Sequence, residues 1–68
     1  MRTAAARRQA DRREEILAAA QRCFARSGFH LTSMHEICAE ANMSPGGLYR
    51  YFPSKEALIA GIAERDRA

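Results

Sequence analysis

The sequence predicts an all-α fold: three helices plus the start of a fourth, with the second and third arranged as a helix-turn-helix. Three observations carry that expectation. The chain has no valine, two threonines and four isoleucines, whereas alanine, arginine, leucine and glutamate dominate; helix formers are abundant and strand formers scarce. Apolar residues recur at three- and four-residue steps, the helical period. Two short helical segments are separated by only Asn42-Met43-Ser44, a turn of the length that joins the two helices of such a motif. The chain has 68 residues, and 14 of its hydrophobic residues are alanine. One small core at the margin of independent stability is therefore expected. A β-sandwich, a barrel and an α/β nucleotide fold are excluded, as is the large pocket of a stand-alone enzyme.

Residues 1–8 show no apolar periodicity and are expected to form a flexible basic arm. From about Gln9 the pattern turns helical, and Ile16, Leu17, Ala20, Cys23 and Phe24 make one apolar stripe. Gly28 ends this helix. With Gly28 left-handed, Phe29 falls where it touches Phe24, the hydrophobic contact of a Schellman ending. Ser33-Met34-His35-Glu36 has the form of a capping box, in which the hydroxyl and the carboxylate each serve the other residue's amide. A short second helix follows, with Met34, Ile37, Cys38 and Ala41 inward. Asn42 sits where that helix must end, and asparagine tolerates the left-handed conformation.

Ser44-Pro45 is an N-cap followed by proline at the first helical position, so a third helix runs from about Pro45 to Phe52 with Leu48 and Phe52 on its inner face. Pro53-Ser54 breaks and restarts the chain. Ser54 caps a fourth helix from Lys55, with Leu58, Ile59 and Ile62 as its apolar positions. No glycine or proline closes it before Ala68. The expected organisation is an arm at 1–8, a helix-turn-helix domain at 9–54, and at 55–68 the start of a connecting helix cut short of a C-terminal domain.

The net charge is +3, unevenly spread. Residues 1–13 carry five arginines against Asp11, and residues 44–55 hold Arg50 and Lys55 with no acid. A basic arm beside an acid-free basic segment is the footprint of a polyanion binder; on charge alone, a solvated charged face serves equally. No apolar run is long enough for a signal peptide or a membrane span. Two cysteines make no disulfide framework, and a cytoplasmic, reducing location fits.

In a helix-turn-helix the second helix enters the major groove while the first crosses the backbone. Here the pair is Ser33–Ala41 and Pro45–Phe52. Gly46 and Gly47 lie in the first turn of a very short helix, where each costs about 1 kcal/mol relative to alanine. Bare backbone there permits close approach to a phosphate or base edge; close packing of helices is the alternative. Tyr49, Arg50 and Tyr51 cannot all be buried once Leu48 and Phe52 take the inner face, so they form a contact surface. Lys55 opposes the dipole of its own helix, which a facing phosphate would explain.

These residues together resemble the N-terminal domain of the tetracycline-repressor (TetR) family of bacterial transcriptional regulators, whose fold is homeodomain-like. The matching residues are Ile16-Leu17-x-Ala19-Ala20, Phe24, Gly28, Thr32-Ser33-Met34, Ile37, Ser44-x-Gly46-x-Leu48-Tyr49-x-Tyr51-Phe52 and Ser54-Lys55-Glu56-x-Leu58. The resemblance implies double-stranded DNA as partner. Thr32 and Ser33 would contact phosphate; Ser44, Pro45, Gly46 and Gly47 would lead the recognition helix into the groove. Tyr49 would hold a phosphate, Arg50 a base or phosphate, and Tyr51 would stand where the family more often has histidine. Lys55 would clamp a phosphate. Asn42 replaces the family's usual glycine, and Gly47 offers no side chain where bases are often read. The resemblance also implies a homodimer on a palindromic operator, and a C-terminal domain that forms the dimer and binds a small-molecule inducer releasing a repressor. The 68-residue piece alone would be weakly folded and monomeric off DNA, at the bacterial nucleoid.

Two other chemistries are visible and weaker. His30, His35, Cys38 and Cys23 offer the residue types of a zinc site, but both cysteines fall on apolar stripes, where buried free thiols are common. No metal, cofactor or catalytic constellation is expected. A basic amphipathic first helix also suits a module that docks on a protein or an anionic membrane, yet its apolar stripe is needed to complete the core.

Overall fold

A computed structural model of the chain describes residues 4–67, with side chains from residue 8. Its four helices are α1 (Ala4–Ser27), α2 (Met34–Glu40), α3 (Pro45–Tyr51) and α4 (Lys55–Arg67), and the described residues contain no strand. The all-α fold and the helix-turn-helix pair are as the sequence predicts.

The 24 residues of α1 span about 36 Å and form the longest element, on which α2 and α4 pack. The helix begins at Ala4, so the arm expected over 1–8 is corrected for residues 4–8; residues 1–3 lie outside the described ones. Alanines 4–6 followed by two arginines and a glutamine form helix readily, and an amphipathic stripe is not required to extend a helix already nucleated further along. At the other end Gly28 has φ 83° and its N–H donates to the Phe24 carbonyl at 2.8 Å. The Phe24 and Phe29 rings meet with centroids 5.3 Å apart, the contact expected at this stop.

Residues 28–33 turn the chain into α2. Leu31 points outward, 82% exposed, while Thr32 is 1% exposed, the reverse of their hydropathies. The Thr32 amide donates to the Gly28 carbonyl at 3.1 Å. Its hydroxyl lies 2.7 Å from that same oxygen and 3.2 Å from the Cys23 carbonyl. Ser33 caps α2, accepting from the Glu36 amide at 3.0 Å. The reciprocal half of the capping box is absent. The Glu36 carboxylate turns away to the Arg26 guanidinium and the Ser27 hydroxyl, each at 3.4 Å, because a charged partner on α1 outcompetes a neutral amide.

The turn between α2 and α3 closes as a full Schellman motif. The Asn42 amide donates to Ala39 and the Met43 amide to Cys38, with Asn42 at φ 56°. Ser44 then accepts from the Gly47 amide at 3.2 Å, and Pro45 opens α3. After α3, Ser54 caps α4 by accepting from Ala57 at 3.1 Å.

The core is one cluster drawn from every helix: Ile16, Leu17, Ala20 and Cys23 of α1, Ile37 and Cys38 of α2, Leu48 of α3 with Phe52 just beyond it, and Leu58 of α4. Helix α4 approaches α1 at Gly61. A Cβ there would lie 3.0 Å from Leu17 Cδ2 and 3.1 Å from Phe52 Cε1, so the missing side chain sets the spacing of the two helices. Leu58 and Gly61 take the buried side of α4, and Ile59, expected to pack, is 43% exposed.

Candidate nucleic-acid interface

The outer face of α3 is built by subtraction. Leu48 and Phe52 are buried and half-buried Tyr51 packs on the core. That leaves Tyr49, 48% exposed, and Arg50 pointing outward. At the start of α3 the residues Ser44, Pro45 and Gly46 are exposed and Gly47 is half-buried. A Cβ on Gly46 would meet nothing within 4 Å, whereas one on Gly47 would come within 3.2 Å of Met43 Cε and 3.3 Å of the capping Ser44 Oγ. Gly47 is thus accounted for by the local turn. Nothing inside the molecule calls for a glycine at 46.

An open groove runs between α3 and the N-terminal half of α1, lined by Gln9, Ala10, Arg13, Gly47, Arg50 and Tyr51. A second, adjoining groove is lined by Arg8, Gln9, Arg12 and Tyr51, with Asp11 and Glu15. Three of the residues predicted for contact, Gly47, Arg50 and Tyr51, are therefore brought together with residues of α1. Gln9 and Arg13 were not singled out from the sequence. Their signal was register: Arg13 lies three and four residues before Ile16 and Leu17 and so continues the apolar stripe. Its guanidinium lies 5.1 Å over the Phe52 ring, a cation–π placement that keeps its stem in the stripe and its charge at the groove.

The charges divide by partner. On the side where α1 meets α2, Arg22 pairs with Glu40 at 2.7 Å, and Arg26 pairs with both Glu36 and Glu40 at 3.4 Å. The hydrogen bond from Arg22, ahead of the contribution of Arg26, lowers the Glu40 pKa below the ordinary carboxylate value. On the side where α1 meets α4, Arg65 pairs with Glu14 at 3.6 Å. Arg12 pairs with Glu15 at 3.6 Å and donates to the Asn42 carbonyl at 3.3 Å, tying α1 to the turn. Among the described residues, Arg8, Arg13 and Arg50 have no ion-pair partner, and all three line the two grooves.

Two predicted contacts are corrected. Thr32 is buried, and its hydroxyl is occupied by the Gly28 and Cys23 carbonyls, so its side chain is not presented to any phosphate. Lys55 is half-buried, with Nζ 2.7 Å from the Phe29 carbonyl oxygen and 3.4 Å from that of His30; its charge is directed into the chain. Ser33 is exposed beside them, with its oxygen engaged as the cap.

The thiols belong to the core. Cys23 and Cys38 are both buried and free, and burial pushes both thiol pKa values up. Among the described residues no three or more His, Cys, Asp or Glu side chains gather as a metal site. No described helix is long and apolar enough to cross a membrane.

Residues 16–62 match the model of the bacterial regulatory proteins, tetR family. The HTH-type transcriptional regulator UidR of Escherichia coli is 49% identical over 55 residues, which make up 81% of this chain and 28% of that protein. The HTH-type transcriptional regulator YfiR of Bacillus subtilis, itself uncharacterized, is 45% identical over 53 residues, 78% of this chain and 26% of that protein. The solved structure of Salmonella enterica GusR is 57% identical and superposes with a TM-score of 0.79, covering 82% of this chain and 29% of that one. The chain spans less than a third of the length of these relatives, whose names are those of regulators, not enzymes.

Proposed function

The chain belongs to the TetR family of bacterial regulatory proteins, and from that premise we propose that it reads duplex DNA in a sequence-dependent way. Helix α3 enters the major groove and α2 lies across the backbone. The observation that carries this is the acid-free outer face of α3, with Tyr49 and Arg50 exposed and continuous with the groove that holds Gln9 and Arg13. Tyr49 donates its hydroxyl to a phosphate. Arg50 takes a base edge or a phosphate, where its planar fork of donors suits either acceptor. Ser44, Pro45, Gly46 and Gly47 bring the start of α3 close to the bases, Tyr51 shapes the groove wall, and Ser33 fixes the start of α2 near the backbone.

In a protein of the relatives' length, the family resemblance supports a homodimer on a palindromic operator, with recognition helices about 34–36 Å apart. It also supports a repressor in the bacterial cytoplasm, released when a C-terminal domain binds a small-molecule inducer. Selection from a random duplex library with the protein tests the central claim. Enriched sites contain inverted half-sites one helical turn apart or a multiple of that. Tyr49→Ala and Arg50→Ala each weaken binding on the order of tenfold. Each lost phosphate contact reduces the slope of log affinity against log salt by about 0.9. A library that shows no enrichment, or two substitutions without effect, rejects the proposal.

A further inference from the structure

Lys55 is the first residue of α4, where its charge opposes the positive end of that helix's dipole. The expected compensation was an external phosphate. The structure supplies an internal one. The ammonium is 2.7 Å from the Phe29 carbonyl oxygen and 3.4 Å from the His30 carbonyl oxygen, and 4.6 Å from the centroid of the Phe29 ring. An ammonium has three protons and no acceptor; two carbonyls and a ring face engage most of what it can offer.

Those carbonyls belong to the turn between α1 and α2. From the inner side the same turn is held by Thr32, whose amide and hydroxyl both reach the Gly28 carbonyl. One residue later Ser33 caps α2. The turn that decides where α2 begins is thus fastened from the core by Thr32 and from α4 by Lys55. The fastening joins α4 to the helix-turn-helix 25 residues away in sequence, at a point remote from the outer face of α3.

We propose that Lys55 is a positioning residue: it acts on DNA binding by holding the α1–α2 turn, and not by contacting a phosphate. The effect on DNA rests on the DNA-reading function proposed above. The effect on the turn does not.

The experiment compares the protein with Lys55→Met, which keeps an unbranched apolar stem and removes the donors, with Phe29→Leu, which removes the ring and leaves the lysine charged, and with the double variant. In DNA-free protein, amide exchange accelerates in both single variants at Thr32 and in the first turn of α2, and stays unchanged at the core of α1. Unchanged exchange in the turn overturns the proposal, whatever the DNA does. On duplex, Lys55→Met weakens binding about tenfold, as expected for losing hydrogen bonds from a charged donor, with an unchanged salt slope. Phe29→Leu weakens binding in the same direction, and the two effects are non-additive because both act through one turn. A slope reduced by about 0.9 in Lys55→Met, with Phe29→Leu harmless, identifies a phosphate contact and overturns the proposal. Should Lys55→Met fail to fold, Phe29→Leu carries both readouts. Wild-type protein that binds no duplex sinks the function proposed above, and the exchange data then judge the role of Lys55 by themselves.

Discussion

At the scale of single residues, Gly46 separates what the fold needs from what a contact surface needs. It lies in a helix of seven residues, where glycine costs about 1 kcal/mol against alanine, and a Cβ there would touch nothing. Gly46→Ala should raise the stability of the protein by up to about that amount while weakening its hold on duplex. A thermal melt and a binding titration on the same preparation check the pair of signs. Loss of stability, or duplex binding that is unimpaired, would mean that the bare backbone at 46 is not an approach surface. Several residue roles were legible in sequence because they are local. Gly28, Ser33, Asn42, Ser44 and Ser54 act within four residues of themselves, and each behaves as its residue type dictates. Thr32 and Lys55 were misassigned because their partners are carbonyl groups brought near by the tertiary fold, and a carbonyl has no sequence signature.

At the scale of elements, α1 and α2 are joined by packing on one side and by ion pairs on the other. The Arg22, Arg26, Glu36 and Glu40 cluster has a defined pH dependence. Hydrogen bonding from Arg22 lowers the Glu40 pKa, so the folded state holds this carboxylate ionised more firmly than the unfolded chain does. Its stabilising contribution is present above the unfolded carboxylate pKa and disappears as the pH falls through the lowered folded value. The side chains are partly exposed, so the contribution is screened and small. Glu40→Gln should melt below the wild type at neutral pH, with the two curves converging in acid and the gap narrowing in high salt. A gap that persists in acid would assign the difference to packing. The sequence could show that these charges exist but not which would pair. Arg26 and Glu36 are 10 residues apart, and only the crossing of α1 over α2 diverts the Glu36 carboxylate from its cap. The early start of α1 escaped a search for apolar periodicity for a related reason: that stretch is helical by propensity, without burying a stripe.

At the scale of the whole molecule, a core of nine buried residues leaves little stability in reserve, which makes ligand linkage visible. A duplex supplied at one hundred times its dissociation constant adds about 2.7 kcal/mol, and in a domain of this size each kcal/mol moves the melting temperature by about 4–8 °C. A cognate duplex at low salt should therefore raise the melting temperature by more than about 10 °C, and the rise should shrink as salt is added. A melt indifferent to the duplex would contradict the DNA-reading function.

The distribution of unpaired charge has a kinetic consequence. The arginines away from α3 face carboxylates at close range, while Arg8, Arg13 and Arg50 around the grooves do not. The molecule is therefore electrically lopsided, and a polyanion turns it during approach so that α3 leads. Fewer collisions are wasted on the wrong orientation, and association rates rise above the unsteered value in dilute salt. Neutralising Glu36 or Glu40 would leave every groove residue in place, yet it would spread the positive field over the back of the molecule and blur its aim.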